Sequence, residues 1–212
     1  MENPHDLVLW NMRKTYLREL QDRGVPVVPT VFRDRLAPGG LAALLQAVDA
    51  PQAVVKPVVS ASATGAFRVE GAADPARTEE IESYFADREV MAQPLAHFVL
   101  TEGEYSLLYF AGEFSHAVCK TPASGDFRVQ QNHGGGLVAV DPDPDLRRAG
   151  DRVLASLSEP PLYARIDMVR ANHGDGFWLM ELELIEPELF LRMDSGAPAR
   201  WARAVAERGQ RG

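Results

Sequence analysis

The stretch Phe177 to Pro187 reads Phe-Trp-Leu-Met-Glu-Leu-Glu-Leu-Ile-Glu-Pro and sets acids at alternate positions in an otherwise apolar run. Side chains alternate between the faces of a strand, so Glu181 and Glu183 project from one side. Two carboxylates on a buried face repel each other and lose hydration, so a cation is expected between them. Upstream, Leu162 to Ala171 is a second apolar strand with Asp167 in its middle, and Asn172-His173-Gly174-Asp175-Gly176 between the two has hairpin-loop composition. A hairpin centred on Gly174 sets Asp167 opposite Glu181. Three oxygen donors with no Cys or neutral His among them suit magnesium rather than zinc. A bare Glu-x-Glu is ordinarily decoration on a solvated sheet face; the interleaved Leu, Met, Trp and Ile argue for a buried one.

Acids that hold a divalent cation usually have phosphate nearby, which turns attention to the basic residues. Lys56 interrupts Ala-Val-Val-Lys-Pro-Val-Val, a strand that otherwise belongs in a core, and should reach an anion unless it snorkels from the sheet edge. The loop after it, Ser60-Ala61-Ser62-Ala63-Thr64-Gly65, has small side chains whose backbone N–H groups could close on phosphate oxygens. It matches neither Gly-x-x-x-x-Gly-Lys-Ser/Thr nor Gly-x-Gly-x-x-Gly, which sets aside P-loop and Rossmann sites. Further on, Lys120 sits in an apolar strand. Arg128, in Gly125-Asp126-Phe127-Arg128-Val129-Gln130, leads into Gly134-Gly135-Gly136, which is either a place of close backbone approach to a ligand or a surface loop.

The elements that must position these residues follow from periodicity. Asn11 to Arg23 predicts an amphipathic helix, stopped at Gly24. Val25 to Pro29 is a short extended piece, and Leu41 to Val48 a helix. Ala53 to Ser60 and Ala66 to Glu70 are paired strands, followed by a helix over Ala76 to Arg88 and a strand over Glu89 to Leu95. A second lobe has strands at Glu104 to Phe110 and Glu113 to Thr121, a helix from Pro144 to about Leu157, the acidic hairpin, and a closing helix over Ala199 to Arg208.

Composition narrows the class. A chain of 212 residues, 46% hydrophobic and 25% charged, can bury a substantial core in one or two lobes. With 22 basic against 30 acidic residues, the net charge of -8 argues against nucleic acid and anionic membranes as partners. There is no transmembrane-length apolar run and no signal-peptide pattern at Met1 to Asp6, so a cytoplasmic protein is expected. Cys119 is the only cysteine, which excludes an internal disulfide; its apolar surroundings predict a core role.

Taken in order, these residues resemble the ATP-grasp superfamily, whose members hold ATP between two α+β lobes. Asp167 followed by Glu181-Leu182-Glu183 and Pro187 is similar to the family's magnesium-binding acids. Lys56 matches the lysine before the glycine-containing lid (Ser60, Ser62, Thr64, Gly65), and Lys14 an earlier phosphate-facing lysine. Gln93, Pro94 and Leu95 match the hinge that holds adenine, and Glu104 a polar position near the nucleotide. Phe127-Arg128-Val129-Gln130 most resembles the glutathione-synthetase-like branch. The resemblance implies an α+β fold with residues 1–24 as a linking helix, 25–96 as the small lobe and 97–212 as the large lobe. It implies an ATP-dependent, magnesium-requiring ligase that activates a small-molecule carboxylate as an acyl phosphate for attack by an amine, with Arg128 and Lys120 as catalytic cations. Relatives of this branch carry another α/β domain before the first helix. Its absence here leaves an alternative, an ATP-binding subunit without turnover, with a homodimer or a separate N-terminal-domain protein as partner.

Overall fold

The computed structural model describes residues 3–61, 63–71, 74–123, 125–129 and 134–210. Two antiparallel sheets organise them. The smaller has four strands in the order β1-β4-β2-β3, formed by β1 (Val31–Arg33), β2 (Gln52–Pro57), β3 (Phe67–Glu70) and β4 (Val90–Pro94). The larger has five in the order β7-β6-β5-β8-β9, formed by β5 (Glu104–Phe110), β6 (Glu113–Thr121), β7 (Gly136–Val140), β8 (Tyr163–Arg170) and β9 (Phe177–Glu183). Among the described residues no helix is long and apolar enough to cross a membrane.

Alternation decides what each face of the small sheet meets. Val55, Phe67, Val69, Val90 and Ala92 pack on Leu41 and Leu44 of α3 (Gly40–Val48) and on Ile81 of α4 (Pro75–Tyr84). The intervening Val54, Lys56 and Gln93 face the other way. Glu82 of α4 accepts from the N–H groups of Gly39 and Leu41, satisfying donors that open α3 and joining the two helices. In the large sheet, Leu107, Tyr109, Ala164, Ile166, Met168 and Leu182 line one face against α5 (Pro144–Ala155). Asp143 caps α5 through the N–H groups of Asp145 and Leu146. Gly150 lets this helix close on β5, since a Cβ there would lie 2.7 Å from Leu107. The chain ends in α6 (Ala197–Gly209).

The first helix departs from its expected span. Instead of one helix over Asn11 to Arg23, there are two, α1 (His5–Asn11) and α2 (Tyr16–Asp22), with a break at residues 12–15. The break has a tertiary cause. At Lys14 the backbone N–H donates to Val58 beyond β2 at 3.0 Å, and the helices on either side cover the exposed edge of β9. Asn11 donates to Leu182 O at 2.8 Å and accepts from Leu184 N at 3.0 Å, while the Tyr16 hydroxyl bridges the C=O and N–H of Leu182. Asn3 adds a bond to Leu184 O, and Val28 N with Pro26 O bracket Leu179. An edge strand left bare would be a template for pairing with another chain. Here residues 3–28 satisfy it, mostly with side chains.

Asn11→Ala removes both of its bonds to β9; Leu182 O keeps the Tyr16 hydroxyl, but Leu184 N is left buried and unpaired, at about 1–3 kcal/mol on top of the lost bond to Leu182. The expected loss is about 2–4 kcal/mol of stability, read as a lowered urea midpoint with the m-value unchanged.

Candidate active site

The acidic hairpin is built as its spacing suggested, by a different route. Its turn is centred between His173 and Gly174, because Arg170 pairs with Phe177. A bulge between Asp167 and Met168 on β8, with Met180 the extra residue of β9, then shifts the register by one and brings Asp167 opposite Glu181 and Arg165 opposite Glu183. Asp167, Arg165, Glu181 and Glu183 therefore share one face. β5 and β6 add Ser106, opposite Asp167, and Glu104, opposite Lys120.

Each carboxylate on this face has a cation. Asp167, 2% exposed, receives the Ser106 hydroxyl at 2.5 Å, Arg165 at 3.0 Å and Lys120 at 3.2 Å. Lys120 also reaches Glu104 at 2.5 Å. Arg165 pairs with Glu183 as well. Glu181 takes Lys14 at 3.2 Å, and the same ammonium donates to Ser60 O at 2.8 Å. Burial alone would push Asp167 up, but Arg165 and Lys120 outweigh it and hold its carboxyl down at about 2. Burial would likewise push Lys120 down; Asp167 and Glu104 keep it above the ordinary lysine value. Glu183 goes the other way. Burial, with Asp167 and Glu181 adding to it, raises its carboxyl to about 8 against the pull of Arg165. The face thus carries one more carboxylate than its cations comfortably neutralise.

Lys56, on the cleft face of β2, makes neither a hydrogen bond nor an ion pair with a described residue. Burial lowers it from the ordinary lysine value, and the nearby charge of Lys14 adds to this, while Glu181 and Glu104 oppose. It is a cation aimed between the sheets with its donors unspent.

The remaining expected residues lie in the loop after β2, at the end of β4 and in the loop that carries Arg128. In the lid, Thr64 N donates to Ala61 O and Ala66 N to Ala63 O, so two of the N–H groups expected to face a ligand close turns within the loop. Gly65 lies under Tyr84, where a Cβ would fall 2.2 Å from the hydroxyl. Ser62 lies outside the described residues, as does Gln130. In the hinge, Gln93 donates to the Thr30 hydroxyl, and Pro94 pairs opposite Ala53. The N–H of Leu95 goes to Gln52 O, and its carbonyl accepts from Asn172. Beside the hinge, Val28, Ala96, Val99, Val129 and Val169 form an apolar cluster with Phe98, Trp178 and Met180 packed on it, the last two on β9 just before Glu181. Arg128 is held by Asp126 of its own loop at 2.7 Å, and no contact ties it to Asp167, Glu181 or Glu183. Cys119 is buried and free.

Sequence reasoning missed Arg165 and Ser106. Arg165 was legible in principle, standing two residues before Asp167 and so on its face. Ser106 had no local signal. Among the described residues, no three carboxylates form a ready-made ligand cluster, because each is turned onto a cation. The donor set still fits magnesium. The acids are hard oxygen ligands, paired by register, and Glu183 lacks full compensation.

No protein-family model matches the chain. The chain is 33% identical, over 219 residues, to the cycloserine biosynthesis protein DcsG of Streptomyces lavendulae, covering 97% of this chain and 72% of that protein. The crystal structure of D-cycloserine synthetase DcsG superposes with a TM-score of 0.82 at 31% identity, again over 97% of this chain and 72% of that one. At 16% identity, the D-Ala:D-Ser ligase VanG of Enterococcus faecalis gives a TM-score of 0.68 over 93% of this chain and 61% of its own. The ATP-grasp ligase PsnB with its minimal precursor, also at 16% identity, gives 0.67 over 97% and 63%. These two share the fold. The chain belongs to the ATP-grasp ligases, a class of ADP-forming carboxylate–amine ligases.

Removing one member of a buried ion pair strands its partner, at about 3–5 kcal/mol. Lys120→Met should destabilise the fold by about that much. Glu104→Gln should then cost less in the Lys120→Met background than in the wild type. Urea unfolding of the two single variants and the double variant measures this coupling.

Proposed function

We propose that this chain binds Mg·ATP between its two sheets and activates a small-molecule carboxylate as an acyl phosphate, which an amine then captures with release of phosphate. The observation that carries the reading is one sheet face on which Asp167, Glu181 and Glu183 stand together opposite Lys56, which no described residue partners. Asp167, Glu181 and Glu183 would hold magnesium, which when bound neutralises charge on the phosphate oxygens. Lys14, which bridges Glu181 and Ser60, and Lys56 bind the triphosphate as point charges. The apolar cluster of Val28, Ala96 and Met180 beside Gln93, Pro94 and Leu95 supports a site for the base, a flat apolar ring system. Thr64, Gly65 and Ser60 would border the phosphates from the lid. Glu104 acts through Lys120, fixing that ammonium beside Asp167.

Two arginines could stabilise the transferring phosphoryl group. Arg165 is committed to Asp167 and Glu183, and it orders the acids. Among the described residues Arg128 has only the neighbouring Asp126 as partner, so it can turn to an incoming ligand at the cost of one local ion pair. Phosphoryl transfer depends on positioning and charge neutralisation rather than on a protein nucleophile.

The substrate class of the cycloserine relative suggests amino-acid-derived carboxylates as the first panel to try. ADP release with such a panel, and hydroxamate formation when hydroxylamine replaces the amine, tests the acyl phosphate directly; phosphorylated product without hydroxamate would rule it out. In this assay Arg128→Ala should lower kcat roughly a hundredfold to a thousandfold with ATP affinity retained, the usual effect of deleting one charge-stabilising donor.

Lys56 gives a pH dependence of definite sign. Its protonated form attracts phosphate and its neutral form does not, and its free-state value lies below that of an ordinary lysine. ATP affinity, followed by calorimetry, should therefore fall as pH rises, beginning lower than an unperturbed lysine would require. In Lys56→Arg, which stays charged, that fall should disappear.

A further inference from the structure

The small sheet carries a second cation on the face that Lys56 occupies. In the β2–β3 ladder Gln52 pairs with Glu70, Ala53 with Val69, Val54 with Arg68 and Val55 with Phe67. Across β2, Val54 also pairs with Gln93. Phe67 and Val69 point into the core beneath the helices, so Arg68 points the opposite way, in one row with Val54 and Gln93. Lys56 is two residues along β2 from Val54. Arg68 and Lys56 are therefore diagonal neighbours on the cleft face, roughly 7–8 Å apart at the backbone.

The guanidinium of Arg68 is only partly used. Its Nη2 donates to Gln52 Oε1 at 3.2 Å and pairs with Glu70, both on the side away from the lid. Its Nε is buried and has no acceptor among the described residues, the one side-chain atom there in that condition. Buried donors in folded proteins are almost always paired, so an orphan calls for an explanation. Lys56, diagonal to it, also lacks a partner among the described residues. Two cations with donors unspent, side by side on the wall of a cleft, are both satisfied by one anionic oxygen group between them.

We propose that Arg68 is a nucleotide-binding residue whose Nε–H, beside Lys56, donates to a phosphate oxygen of the bound nucleoside triphosphate. The inference rests on the ATP reading above and adds a contact that Lys14 and Lys56 do not supply. Its present partner Glu70 is more than half exposed, so that pair contributes little to the fold, and the arginine can be changed without expecting collapse.

Calorimetry of the whole chain with magnesium and either ATP or adenosine is the test, on wild type, Arg68→Met and Arg68→Lys, with urea midpoints recorded for each. Arg68→Met should weaken ATP by roughly tenfold to a hundredfold, the scale of one charge-assisted hydrogen bond, and leave adenosine unchanged. Arg68→Lys keeps the charge without the Nε–H and should fall between, which preserves the test if the methionine variant does not fold. Wild-type ATP affinity in either folded variant overturns the assignment. Equal losses for ATP and adenosine overturn it too, since the contact would then not be to phosphate. If wild type itself binds no ATP, the nucleotide reading fails and this contact fails with it.

Discussion

Burying carboxylates is the constraint on which the rest of the molecule depends. Glu104, Asp167, Glu181 and Glu183 stand on one face of the large sheet, and Asp167 is almost wholly out of water. Such charges are tolerable only when each has a cation and further hydrogen bonds. The cations come from segments far apart in the chain: Lys120 from β6, Arg165 from β8 and Lys14 from the break between the first two helices. Lys14 is the most demanding of the three. Its ammonium must reach Glu181 on the large sheet while also donating to Ser60, past the end of β2 on the small one. One side chain thus ties the acid face to the base of the lid, and the helix gives up its continuity at residues 12–15 to allow it.

The edge of β9 is the second half of the same arrangement. The strand that carries Glu181 and Glu183 is the last of its sheet, so its outer backbone groups need partners that no strand supplies. Asn3, Asn11 and Tyr16 provide them from the same short segment that presents Lys14. The hydroxyl of Tyr16, bonded at Leu182 between the two glutamates and buried near Glu181, has its pKa raised well above the usual phenol value, so it stays a neutral bridge rather than becoming another charge. Structure of the strand and electrostatics of the site are supplied by one stretch of about twenty-five residues.

How much of this was legible follows from which physical rule governed each part. Period-two alternation placed β5, β6, β8 and β9, and hence the acid face, because burial on one side leaves its mark in every second residue. The expected Asp167–Glu181 pairing was correct, although the turn is offset by half a residue and the bulge at Met180 restores the register; nothing local distinguishes that bulge from an unbroken strand. β1 is three residues long and β7 follows the glycine run, and neither has enough alternation to be read. The break in the first helix was illegible because it is imposed by Val58 and Leu182, some forty and one hundred and seventy positions away. The turns within the loop of residues 60–66 were illegible for a similar reason. Small residues permit N–H groups to face a ligand, but they equally permit the tight turns that use those groups up.

The ion pairs also limit how a ligand can enter. Glu104, Asp167, Glu181 and Glu183 are paired with Lys14, Lys120 and Arg165, three cations to four carboxylates, and Glu183 remains poorly compensated. A triphosphate alone would meet four carboxylates at close range and be repelled by them as strongly as the cations attract it. A divalent cation alone would have to draw Glu181 from Lys14 and Glu183 from Arg165. On the proposed reading the two would arrive together: Glu181 would take metal in place of the Lys14 ammonium, and Lys14 would then be free to meet phosphate. On the reading proposed here, the same side chains therefore serve twice, holding one another in place and holding the ligand. Affinity for the nucleotide and for the metal must then be strongly coupled, each raising the other by the same factor.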